Sequence, residues 1–132
     1  MRRQSSITEL IAPVLDLEPI AVYHFGSSAT DPERLRSDSD IDLAFLADRP
    51  CDPYRVFLTS QEVARVAGRE VDLIDLRQVG SVIAAQVVGH GTRVFTAPGC
   101  GQLADEFELL TLSSYARLNE ERGEVLATEL AR

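Results

Sequence analysis

Phe25-Gly26-Ser27-Ser28, followed by Ser39-Asp40-Ile41-Asp42-Leu43, is the stretch on which the fold turns. The first segment ends an apolar run, Ile20 to Phe25, in a Gly-Ser turn whose backbone N–H groups and hydroxyls suit a phosphate chain. The second sets an Asp-x-Asp in another apolar run. Strand side chains alternate with period 2, so Asp40 and Asp42 face one way and Ile41 and Leu43 the other. Two carboxylates that close on one face repel each other unless a cation sits between them. A phosphate cradle beside paired carboxylates is what metal-assisted attack on a nucleoside triphosphate requires.

Working outward, Glu70 to Leu76 reads as a third strand and carries two more carboxylates, Asp72 and Asp75. They fall on opposite faces: Asp72 with Ile74 and Leu76, Asp75 with Val71 and Leu73. Only one of them can join the Asp40/Asp42 face. Asp72, in the strand body, is the one expected there, and Asp75, near the strand exit, suits a turn or cap. Asp40 and Asp42 would bridge two metals, and Asp72 would complete the nucleophile-side metal and take the hydroxyl proton. Taken alone, each motif has a plainer reading. An Asp-x-Asp is most often a solvated strand edge, and a Gly-Ser is most often a tight turn. Arg34 and Arg36 lie in the polar segment between turn and carboxylates, as solvated charges or as groups that neutralise phosphate.

The remaining elements follow from punctuation. Ser6-Ile7-Thr8-Glu9 opens a helix as a capping box, with Ile7, Leu10, Ile11, Val14 and Leu15 on one face and Pro13 shortening or kinking it. Residues 29–38 read as an irregular loop, and Ile41 to Leu46 as the second strand. Asp52-Pro53 starts a helix that ends at Gly68. Ser81 to Val88 is a short helix and Thr92 to Ala97 a fourth strand. After Pro98-Gly99-Cys100-Gly101, a long helix runs from Gln102 to about Arg122, where Gly123 breaks or kinks it. With no helix between the first two strands, the fold class is α/β (α+β): a small mixed sheet with helices mainly on one face. The 132 residues are read as one domain, with 102–132 as a C-terminal helical extension.

Composition narrows the classes. No apolar run approaches the roughly 18 residues of a membrane span, and Met1-Arg2-Arg3-Gln4 leads into no signal-like segment, so a cytoplasmic location is expected. Cys51 and Cys100 form no Cys-x-x-Cys pair and read as two reduced thiols. A net charge of -8 speaks against a nucleic-acid footprint but not against a nucleotide, since bound metal offsets the repulsion. All 13 basic residues are arginine, which excludes lysine Schiff-base chemistry and a P-loop. His24 reads as a packed or hydrogen-bonded strand residue, His90 as a helix-end or turn residue and Tyr115 as core or interface, and neither histidine has a triad partner.

Together, Phe25-Gly26-Ser27, Ser39-Asp40-Ile41-Asp42-Leu43 and Val71-Asp72-Leu73-Ile74-Asp75-Leu76 resemble the minimal nucleotidyltransferases of the DNA polymerase β superfamily. The likeness extends over roughly residues 7 to 122 and is nearest the MNT-type antitoxin subunits that pair with HEPN-domain RNase toxins. It implies a polymerase β-like fold in which Gly26, Ser27 and Ser28 hold the nucleotide phosphates and Asp40, Asp42 and Asp72 bind Mg2+ in a two-metal site. It implies, further, that ATP is the substrate and that AMP passes to a tyrosine of the toxin in a hetero-oligomer. Two functions compete with this one: an antitoxin that neutralises by binding alone, with Leu103, Phe107, Leu110 and Leu118 as its docking face, and nucleotidyl transfer to a small molecule such as an aminoglycoside. One departure stands out, for Ala29-Thr30-Asp31 occupies the place of a common Ala-Arg-Gly and twelve residues, 28 to 39, separate Ser27 from Asp40.

Overall fold

The Ser6 hydroxyl accepts from the Glu9 amide at 3.3 Å and opens helix α1, Ile7–Leu10. Pro13 then tightens the chain into a 3-10 helix, Ala12–Leu17, that ends in left-handed Glu18 (φ 54°). This computed structural model describes residues 6–26 and 40–130, with side chains up to residue 121. Four strands follow: β1, Ala21–Phe25; β2, Ile41–Leu46; β3, Val71–Asp75; and β4, Thr92–Thr96. Between them lie α2, Pro53–Ala67, and α3, Ser81–His90, and the chain closes with α4, Gly101–Leu130. The Asp52 carboxylate caps α2 by accepting from the Tyr54 amide, and Gly68 (φ 69°) ends it in the left-handed conformation that favours glycine.

The sheet runs β3-β2-β1-β4. β1 pairs antiparallel with β2 and with β4, while β2 and β3 are parallel, joined by the α2 crossover. The sheet is mixed, as the missing helix between β1 and β2 implies. Its central strands are apolar on both faces, and each face carries its own core. On one, Val22, Ile41, Leu43 and Phe45 pack with Leu10 of α1, Ile11 just after it, Val14 and Leu17 of the 3-10 helix, and Val63 of α2. On the other, Ala21, Tyr23, Ala44 and Leu46 pack with Ala84, Val87, Ala104 and Phe107 from α3 and α4. Helices therefore cover both faces rather than mainly one, because a strand buried on both sides needs apolar cover on both.

The last helix also departs from the expectation. It passes through Gly123 and continues to Leu130. A single glycine costs a helix interior only about 1 kcal/mol relative to alanine, too little to stop a helix thirty residues long. Likewise α3 extends two residues past Val88, through Gly89 to His90. Among the described residues, no helix is long and apolar enough to cross a membrane.

Candidate active site

Strand register brings the acidic residues together. Asp42 lies opposite Phe25 of β1 on one side and opposite Asp72 of β3 on the other. Directly opposed residues of neighbouring strands point to the same face, so Phe25, Asp42 and Asp72 share one. That is the face of Tyr23 and Ala44, covered further along by α3 and α4. Asp40 precedes β2 by one residue and is exposed, as is Asp72, whereas Asp42 is half-buried. The cluster sits at the end of the sheet where β1 ends and β2 and β3 begin.

Gly26 completes this end. Its φ of +78° is a conformation that side chains disfavour, and a Cβ placed there would run into the Asp42 carboxylate, lying 3.1 Å from Cγ. Ser27 and Ser28, together with Arg34 and Arg36, lie outside the described residues. Asp75 has a different task. It is buried and lies opposite Phe45, on the far face from Asp42. Its carboxylate accepts from the Cys51 amide (2.9 Å), the Arg77 amide (2.9 Å) and the Gln78 side chain (2.7 Å), tying the exit of β3 to the approach to α2. His24 pairs with Leu43 and faces away from the carboxylates, and burial pulls its pKa below the usual histidine value.

The Asp42 carboxyl is pushed above its ordinary pKa by burial first, then by the charges of Asp72 and Asp40. Three acidic residues, Asp40, Asp42 and Asp72, all offering hard oxygen donors, form a donor set suited to a divalent ion such as Mg2+. As the side chains stand among the described residues, no three His, Cys, Asp or Glu groups are gathered closely enough to hold one. Asp42 and Asp72 start from opposed backbone positions, so side-chain rotation alone governs how near their carboxylates come.

Beside the carboxylates a cleft of about 620 Å³ opens between α3 and α4. Phe25 and Gly26 form its end nearest Asp42, and Gln86, His90, Leu112 and Tyr115 line the rest. The helix-end reading of His90 holds, yet its position also puts it in this wall. Gln86 had no signal in the sequence, where it is one polar residue on a largely apolar helix.

Residues 9–98 match the family described as Polymerase beta, Nucleotidyltransferase. The chain belongs to that family. Among relatives of this polymerase β-type nucleotidyltransferase is the protein adenylyltransferase MntA of Shewanella oneidensis, 32% identical over 110 residues that make up 83% of this chain and 76% of the relative. A solved toxin–antitoxin structure with AMP-PNP contains a chain with TM-score 0.73 and 29% identity, over 94% of this chain and 95% of that one. The complex of the tri-AMPylated Shewanella oneidensis HEPN toxin with its MNT antitoxin gives a TM-score of 0.72 at 27% identity, over 93% and 94%. The four-stranded mixed sheet and the family thus agree with the fold expected from the Gly-Ser turn and the two acidic segments.

Proposed function

We propose that this nucleotidyltransferase is an antitoxin that transfers AMP from ATP to a tyrosine of a HEPN-domain toxin, silencing it. The observation that carries the reading is the alignment of Asp42 with Asp72 in register, beside Asp40 and against Gly26. Support for the partner comes from the relatives, one an adenylyltransferase by name and one solved with an AMPylated HEPN toxin. The long α4 fits a binding role as well. Ala104 is buried and Phe107 packs on the sheet's second core, while Leu103, Leu109 and Leu110 remain exposed along the same helix. Phe107 thus belongs to the protein's own interior, and the docking face is carried by the leucines.

In this reading Asp40, Asp42 and Asp72 hold Mg2+, which when bound offsets triphosphate charge and makes the acceptor hydroxyl easier to ionise. Gly26 gives the phosphates room to approach the backbone, with Ser27 and Ser28 as hydroxyl donors to them. The tyrosine oxygen forms a bond to the α-phosphorus, the bond from that phosphorus to the α–β bridging oxygen breaks, and pyrophosphate leaves. The hydroxyl proton passes to Asp72, whose carboxylate is exposed, and from there to solvent.

The test is intact-mass spectrometry of the purified toxin after incubation with this protein, ATP and Mg2+, with Asp42→Asn in parallel. Added adenylates with the wild type and none with the variant are expected. A stable complex with no change of mass would replace the enzyme by an antitoxin that acts through binding alone.

A further inference from the structure

We propose that the cleft between α3 and α4 takes the nucleoside of the donor nucleotide, with Gln86 reading the edge of the base and Tyr115 stacking on its face. This rests on the nucleotidyltransferase reading of the Asp42 edge. The location comes first. Phe25 and Gly26 belong to both places: Phe25 is the register partner of Asp42, Gly26 leaves no room between itself and the Asp42 carboxylate, and both line the cleft. A nucleotide whose phosphates lie at Gly26 and Asp42 has its sugar and base directed at this opening.

Size and chemistry agree. About 620 Å³ lies within the range of small-ligand pockets. The lining joins two aromatic rings, Phe25 and Tyr115, to small or apolar groups at Ala85, Gly89 and Leu112. Such a slot suits a flat ring, and base–aromatic stacking is sequence-tolerant because every base has a π-face. Selection must then come from the polar groups. Gln86 and His90 stand four residues apart on α3 and so share a helix face. The Gln86 amide carries a donor and an acceptor side by side, the complement of the N6 amino group and adjacent ring nitrogen of adenine. Guanine presents two acceptors on the matching edge and leaves the amide oxygen without a partner. The backbone permits the close fit: a Cβ at Gly91 would lie 3.0 Å from Phe25 Cβ, so glycine there lets the end of α3 rest against β1.

The test is calorimetric titration of the whole protein with ATP, GTP and inorganic tripolyphosphate in Mg2+, for wild type, Tyr115→Ala and Gln86→Ala, with circular dichroism to check folding. Tyr115→Ala should weaken ATP by about tenfold while tripolyphosphate binding stays unchanged. Gln86→Ala should shrink the preference for ATP over GTP, again without effect on tripolyphosphate. Unchanged ATP affinity in both variants overturns the proposal, and a raised KM for the acceptor protein in those same variants would assign the cleft to the acceptor. Equal weakening of ATP and tripolyphosphate in a folded variant also overturns it. If the wild type binds neither ligand, the nucleotidyltransferase reading itself fails, a result separate from failure of the variants alone.

Discussion

Gly26 and Asp42 are packed so closely that the one leaves no space for a side chain on the other. A Cβ on Gly26 would strike the Asp42 carboxylate and lie 3.1 Å from its Cγ and 3.3 Å from its Cβ. The turn after β1 and the central acidic residue of β2 are therefore one unit, held by strand pairing that sets Phe25 opposite Asp42.

Gly26→Ala should therefore suffer twice. The left-handed backbone costs an alanine about 1–2 kcal/mol, and the methyl group must displace the Asp42 side chain. Gly68 is the control: its φ is +69°, but a Cβ there meets nothing within 4 Å. Chemical denaturation should show Gly68→Ala losing only that backbone cost, about 1–2 kcal/mol, with AMP transfer intact. Gly26→Ala should lose more and drop in activity. Equal activities for the two variants would count against the coupling of turn and carboxylate.

Asp42→Asn should abolish transfer, by more than about 100-fold, since even residues that only orient metal ligands cost 10–100-fold. Its stability should move the other way. The folded protein holds the Asp42 proton more tightly than the unfolded chain does, through burial, Asp72 and Asp40. Ionisation of Asp42 then destabilises the fold increasingly as pH rises above the ordinary carboxylate value of 3.8. Without divalent metal the Asn variant should melt higher than wild type at pH 7, with the gap closing at acid pH. Added Mg2+ should raise the melting temperature of wild type far more than that of the variant.

Asp72 and Asp75 are three residues apart and should behave as opposites. Asp75 satisfies two backbone amides and the Gln78 side chain from a buried position. Asp75→Ala orphans those donors, at about 1–3 kcal/mol for each one left dry, and should lower the unfolding midpoint sharply. Asp72→Asn, at an exposed site, should leave the midpoint unchanged or raised and remove AMP transfer. Thermal melts and mass spectrometry on both variants separate the two roles.

Arg93 ties β4 to α4 through Asp105 (2.8 Å) and Glu108 (3.1 Å). Half-buried at the sheet edge, it lies near the Tyr23 hydroxyl, which burial and Glu108 push well above its usual pKa. Arg93→Met keeps the apolar stem and removes the charge. The loss should be about 1 kcal/mol, since exposed Asp105 is screened by solvent, and should shrink in high salt. Faster hydrogen exchange along α4 would show that the pair fastens the helix carrying the exposed leucines.

The strands and helices were legible because their signals are local. The apolar run from Ile41 to Leu46, broken only by Asp42, marks β2, and Asp52-Pro53 and Gly68 bracket α2. Alternation also separated Asp72 from Asp75, since it depends only on parity within one strand. What parity leaves open is the neighbour: whether β3 lies beside β2, and in which register, follows from how the α2 crossover packs against the sheet. Gly123 does not break α4, for glycine's cost is a local quantity, whereas the persistence of the helix depends on its whole length.

By itself the sequence determined which residues alternate, where caps and turns fall, and that two acidic segments and a Gly-Ser turn suit a nucleotide. Tertiary structure alone decided that the helices divide between two faces, that Asp42 stands between Phe25 and Asp72, and that Gln86, His90 and Tyr115 meet in one cleft. The reason is distance along the chain. Alternation and capping act over a few residues, but Phe25, Gln86 and Tyr115 meet only once a sheet and two helices have packed, and burial, not spacing, selects that packing.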